Sequence, residues 1–264
     1  MVPDMMNDPD PLVPAVARAA DRVCHLMWLF RRQEPEVVAL VEERHTMGFS
    51  HYLTSRMGVI PPQRWADEVF IVPSSLIEHL RPRCERLNPP EYVDAALNAA
   101  GRALARLAPQ APTAALCELA DLVEAQGALV SSWARWHRSG DDHGDAVRDA
   151  MVLREDRAHG HYEAAREAQL APLQLMVLTQ AWRGGDLTVL SGAFRWGEEA
   201  VGEAQASLRE RGFLTESGTI TDVGQALRDQ IEESTNRWAG RYLGRLDESR
   251  RGGLAAELER LGAI

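Results

Sequence analysis

The chain has 264 residues and a mass of 29.3 kDa, enough for one large domain or two smaller ones. Its 45% hydrophobic and 26% charged residues exclude a disordered chain and let it bury a core unaided. A formal charge of −10 and a pI near 5.3 oppose non-specific attraction to nucleic acid or anionic membrane, so DNA binding starts at a disadvantage.

Residues 1–11, acidic and broken by prolines, read as a disordered N-terminus rather than a signal sequence, and no window approaches the ~18 apolar residues of a membrane helix. Cys24, Cys84 and Cys117 stand apart with no C-x-x-C spacing, which suits reduced thiols in a cytoplasmic protein. From residue 12 to about 170 the spacing is helical throughout. Val16, Ala19, Ala20, Val23, Met27 and Phe30 form one apolar stripe. Tyr92, Ala95, Ala96, Ala99, Leu104 and Leu107 form a second, "PTAALCELADLVEAQGALVSSWARWH" reads as a third helix, and "GDAVRDAMVLREDRAHGHYEAAREAQL" as one or two more. Prolines 61–62, 73, 82, 89–90, 109 and 112 mark the breaks. Residues 12–170 are therefore expected to form an α-helical domain.

The pattern changes near Leu170–Pro172. "PLQLMVLTQAWRGG" reads as a helix stopped by paired glycines, "DLTVLSGAFRW" as a short element, and "GEEAVGEAQASLRERG" as a helix ending at Gly212. Two β-prone pieces around Ser217-Gly218 and a long helix from Asp222 to Leu243 follow. The expected fold is mainly α: a helical bundle, a winged helix-turn-helix domain over 171–243 with a small β-hairpin wing, and a C-terminal helix over 244–264.

"LREDRAHGH" (153–161) and "RGFLTESGTITDVGQALRDQIE" (211–232) resemble the phrases "LREHRGDGH" and "RGLLDADGRLTDAGRALREEIE" of an actinobacterial family of uncharacterised helix-turn-helix proteins. "CHLMWLF" and "GFSHYLTSRMGVI" are similar, more distantly, to that family's "YFSPE" and "GYFAGRAAPLG" regions. The resemblance implies a winged-helix fold and almost no biochemistry.

Charge argues against the obvious use of that fold. The candidate recognition helix opens with Glu198 and Glu199 and continues to Glu203, and between Arg195 and Gly212 four Glu stand against three Arg. A recognition helix lays its N-terminal residues against DNA, where clustered carboxylates face phosphates. A basic surface would need Arg183, Arg195, Arg209, Arg211, Arg237 and Arg241 to converge in space.

The window 153–162 concentrates Arg154, Glu155, Asp156, Arg157, His159 and His161. On a helix, Asp156, His159 and Glu163 share one face, and Val147, Met151, Arg154 and Ala158 another. An Asp three residues before a His can fix its tautomer, which makes Asp156 with His159 or His161 a proton-transferring set and Arg154 or Arg157 an anchor for an anion. The plain alternative is a solvated helix surface ended by Gly160. "HGH" supplies two metal ligands and would need a third from His25, His51, His137 or His143; no metal is assigned.

No nucleophile elbow, phosphate loop, H-E-x-x-H or dinucleotide fingerprint occurs, and the cofactor stays unknown. Trp28, Trp133, Trp136 and His137, with Tyr52 and Arg56 four apart, read as core or as the lining of a pocket for a flat, anionic ligand, and Met27, Met47, Met57 and Met151 as adaptable walls. The first reading is thus a cytoplasmic small-molecule-binding protein, with a cofactor-independent enzyme as its catalytic form and its site between the two domains. The second is a ligand-responsive DNA-binding regulator, and the third a structural interaction module. A homodimer through the long helix suits the first two.

Overall fold

The computed structural model describes residues 10–29, 33–46 and 48–264. Most of the expected N-terminal segment, and the residues Phe30 and Met47, lie outside these. The described residues form fourteen α-helices. In order they are α1 (Val13–His25), α2 (Pro35–Glu43), α3 (Gly48–Met57), α4 (Trp65–Glu68), α5 (Ser74–Glu85), α6 (Pro89–Leu107) and α7 (Thr113–Leu122). There follow α8 (Ala128–Arg135), α9 (Asp142–Glu167), α10 (Pro172–Trp182), α11 (Thr188–Gly192), α12 (Glu198–Glu210), α13 (Asp222–Gly240) and α14 (Glu248–Gly262). Prolines open α1, α2, α6 and α10, where a missing N–H costs nothing because the first turn has no partner for it. No helix among the described residues is long and apolar enough to cross a membrane.

Local expectations fail in four places, each for a physical reason. The third expected helix is two, α7 and α8, because the chain leaves helical geometry at Val123 and turns at Gly127 with φ +81°. Pro82 lies inside α5 instead of ending it. Gly160 does not end a helix either, since α9 runs unbroken through it. The β-hairpin wing is absent among the described residues, where Leu214 and Ile220 make a single isolated antiparallel bridge. The link from Gly212 to the start of α13 at Asp222 also pairs across itself through the Thr221 N–H on the Phe213 carbonyl (3.1 Å). It closes through Thr215 N–H to the Thr219 carbonyl (2.8 Å), Gly218 at φ +84° and the Thr221 hydroxyl on the Gly212 carbonyl (2.7 Å).

The described chain resolves into two compact units whose borders differ from the expected division near residue 170. Unit 1 takes the segments up to Pro62, Arg83–His159 and Asn236–Ile264, and unit 2 takes Gln63–Pro82 and Gly160–Thr235. In unit 1, α1 packs chiefly on α14, burying Ala19, Ala20 and Val23 on one helix and Leu254, Leu258 and Leu261 on the other. Each fully buried Leu or Val contributes roughly 1.5–3 kcal/mol. Helix α3 also packs on α6, and every residue from Ser50 to Met57 is buried. A helix closed in on all sides must satisfy its polar groups internally. The Thr54 hydroxyl accordingly donates to the Ser50 carbonyl (2.7 Å), and His51 and Arg56 find partners on other helices. In unit 2, Leu178 of α10, Leu190 of α11, Val201, Ala204 and Leu208 of α12, Leu214 in the link before α13 and Ile231 of α13 form one core.

Candidate functional site

In unit 2 two consecutive helices, α11 and α12, are joined by a short turn. Asp186 accepts from the N–H (2.8 Å) and hydroxyl (2.6 Å) of Thr188, which starts α11 and holds the Asp186 carboxyl below its ordinary value. The turn passes through Arg195 at φ +63°, with the Trp196 N–H returning to the Leu190 carbonyl at 3.0 Å and the Trp196 indole donating to the Ile71 carbonyl at 3.2 Å. Helix α12 then leaves Gly197 with no side-chain cap. Its buried face carries Val201, Ala204 and Leu208, while Glu198, Glu199, Gly202, Glu203, Ala206 and Glu210 are exposed. Glu198 and Glu199 have a local reason to be there, because carboxylates in a first turn neutralise the positive end of the helix. Between α11 and α12 lies a concavity of about 460 Å³ lined by Leu187, Thr188, Ser191, Gly192, Glu198 and Val201.

Helix α13 is tied to α10 by Arg228. This buried guanidinium bonds Thr179 (3.1 Å) and Glu232 (2.6 Å) and stacks 4.7 Å over Trp182, whose indole donates to Asp229 (3.0 Å). Two of the arginines suspected of forming a basic stripe are committed elsewhere. Arg211 donates to the Ala168 and Gln169 carbonyls just past α9, and Arg241 pairs with Asp156 inside unit 1. Arg195 remains exposed in the turn that leads into α12.

Unit 1 holds a second concentration of chemistry, on α3 and α9. Arg56 grips Glu155 bidentately, Nε to Oε1 and Nη2 to Oε2 at 2.8 Å each, and its Nη1 donates to the Tyr52 hydroxyl at 2.7 Å. Arg154 Nη1 donates to the same Oε1 at 2.8 Å, and its guanidinium lies 4.6 Å from the centre of the Trp28 ring. The Trp133 indole donates to the Arg56 carbonyl at 3.1 Å, and Trp28 meets Tyr52 edge-on at 5.2 Å. Burial pushes the Glu155 carboxyl up, but the fields of Arg56 and then Arg154, with their hydrogen bonds, overcome it and leave the group below its ordinary value. The cluster therefore contains an ionised carboxylate shared by two guanidiniums. Nearby, burial pushes the Cys24 thiol up, so it stays protonated.

His51 lies in the same unit, with Nε2 at 2.8 Å from the Met27 carbonyl and Nδ1 at 2.8 Å from the Tyr92 hydroxyl. A carbonyl only accepts, so Nε2 carries the proton and Nδ1 accepts from Tyr92. Burial lowers the His51 pKa to about 4 against the opposing bond to Met27, and burial also pushes Tyr92 up.

The expected site residues are thus only partly brought together. Arg56, Tyr52, Trp28, Trp133 and Arg154 meet in one cluster. Asp156 does not face a histidine, since both its oxygens accept from Arg241 at 2.7 Å. His159 instead packs on Trp238 at 5.4 Å and lies against Gly127. His161, in unit 2, bonds Thr235 at 2.9 Å, and because the Thr235 hydroxyl donates to the Ile231 carbonyl, His161 Nδ1 is the donor. Arg157 reaches Asn236 at 3.3 Å. Trp136 and His137 meet at Asp94, at 2.9 and 3.5 Å, beside a polar concavity of about 190 Å³. No group of His, Cys, Asp or Glu able to hold a metal occurs among the described residues. Sequence reasoning missed Glu155, Arg241 and His51 as organising residues.

A model of a helix-turn-helix family matches residues 16–264. The chain belongs to this helix-turn-helix family. No curated protein and no solved structure matches it. The family match spans both units of this mainly α-helical chain.

Proposed function

We propose that this protein is a DNA-binding regulator that reads duplex DNA with α12. The supporting observation is the helix-turn-helix of unit 2, with α11 and α12 packed on a buried Leu190, Val201 and Leu208 core, in a chain matched by the family over residues 16–264. An N-terminus without a side-chain cap, an exposed Arg195 in the preceding turn, and small residues at Gly202 and Ala206 allow α12 to approach a groove closely. Glu198, Glu199 and Glu203 select by accepting from cytosine amino groups. With few cations to neutralise phosphates, binding depends weakly on salt and non-specific affinity is low.

The test is selection from random duplexes with the full chain at about 50 mM salt, followed by anisotropy titrations. We expect an enriched, cytosine-containing site. Replacing Glu198 and Glu199 by Lys should raise non-specific affinity and steepen the log K against log salt slope by about two. Absence of both enrichment and binding would overturn the reading. A second reading, in which α12 docks a basic protein surface, is favoured by the four exposed carboxylates on that helix. It expects no sequence enrichment at any salt concentration.

A further inference from the structure

We infer that Trp28 and Arg154 of unit 1 form a binding site for a small oxyanion, presented as a carboxylate or a phosphate. The inference goes beyond DNA reading and does not depend on it. Trp28 is 1% exposed, yet its indole Nε1 has no hydrogen-bond partner among the described residues. Native cores rarely leave such a donor unsatisfied, and an orphaned one calls for a ligand or water to accept from it. Stacked 4.6 Å from the centre of that ring is the Arg154 guanidinium, which gives one hydrogen bond, to a Glu155 oxygen already taken by Arg56. Arg154 is 23% exposed on its side chain, whereas Arg56 is 1% exposed. One guanidinium is therefore sealed in as the structural partner of Glu155, and the other stands at the rim with donors to spare.

The chemistry of the pair selects the ligand class. Both groups only donate, so a cation or a second donor gains nothing there. An oxyanion accepts from the indole N–H through one oxygen and from the guanidinium through another, and charge-assisted bonds of this kind are the strong ones. The electrostatics agree, because the Glu155 carboxylate is shared between two cations, leaving Arg154 only half compensated by it. Tyr52, whose ring meets Trp28 edge-on at 5.2 Å, holds the indole in place.

The experiment titrates the full chain with benzoate and, separately, with inorganic phosphate, by calorimetry and tryptophan fluorescence in a buffer free of other oxyanions. Trp28→Phe removes the N–H and keeps most of the ring packing, Arg154→Gln removes the charge, and Trp136→Phe serves as the control, with circular dichroism reporting the fold of each. We expect saturable one-to-one binding of at least one anion. Affinity should fall at least about tenfold in Trp28→Phe and in Arg154→Gln and stay unchanged in Trp136→Phe. The stronger of the two anions identifies the source as an organic acid or a phosphate. Binding that survives in folded Trp28→Phe, or no saturation by either anion at ~10 mM, would overturn the assignment. Should Arg154→Gln fail to fold, the Trp28→Phe titration decides alone. A protein that binds oxyanion but no DNA would leave this site standing while removing the regulator reading, and the converse would do the opposite.

Discussion

Glu155 shows how much one buried side chain can organise. It is 2% exposed and accepts from Arg56 and Arg154 together. Taking its charge away leaves a buried guanidinium without a counter-charge, which is far worse than replacing a whole pair by apolar groups. Glu155→Gln should therefore lower the unfolding free energy by roughly 3–5 kcal/mol in urea denaturation. A Glu155→Leu, Arg56→Met double variant should lose less, and a Gln variant of wild-type stability would show the pair to be idle. The sequence carried a usable signal for this residue. Val147 and Met151 are fully buried and Glu155 continues their spacing, just as Asp156 continues from Val152. A carboxylate at a core position on a helix demands a buried cation. Amphipathic reading instead placed Arg154 on that face, and nothing local could say that Arg56 and Arg241 would be the partners.

His51 supplies the residue-scale pH prediction. Its folded pKa of about 4 lies below the unfolded value of 6.5, so the unfolded chain takes up its proton first as pH falls. The stability it contributes is complete above pH 6.5 and drains between 6.5 and 4, by about 3 kcal/mol in all. Comparing unfolding free energies at pH 7 and 4.5, the fall should be steeper for wild type than for His51→Gln. Equal slopes would mean that His51 titrates normally.

Helices, taken singly, were mostly legible, because apolar spacing and prolines are local properties. What went astray were the glycines. Gly160 reads as a stop, yet α9 continues through it, whereas Gly127, inside an expected helix, is where the chain turns at φ +81°. Gly101, an ordinary interior helical glycine by its neighbours, turns out to be a point of close approach. A Cβ there would lie 2.7 Å from the Gly144 nitrogen and 2.8 Å from its Cα. Gly101→Ala improves helix propensity by up to about 1 kcal/mol but forces the backbones of α6 and α9 apart. We expect net destabilisation of about 1–3 kcal/mol, seen as a lower melting temperature. A rise in melting temperature would mean that the contact yields.

At the scale of the molecule, the units are not consecutive stretches of chain. Unit 1 is assembled from three segments, and its last, Asn236–Ile264, carries both α14 and Arg241. A chain ending at Thr235 would uncover the α1 face with Ala19, Ala20 and Val23 and leave Asp156, fully buried, without its guanidinium. Such a truncation should lose cooperative thermal unfolding by far-UV circular dichroism and elute as aggregate. A soluble product with a sharp melt would show the last segment to be dispensable.

Composition and periodicity by themselves determined that this is a mainly α-helical protein, because hydrophobic spacing and prolines act within a few residues of where they stand. They also marked 153–161 as unusual, since charge density is visible without a fold. Which charges are buried, and with whom, was decided only by the tertiary structure. The Arg56–Glu155 pair spans 99 residues and the Arg241–Asp156 pair 85, and no local rule reaches that far. The wing was lost for the same kind of reason. Thr and Ile prefer strands, but strand formation needs a paired neighbour, and the segment before α13 makes one isolated bridge.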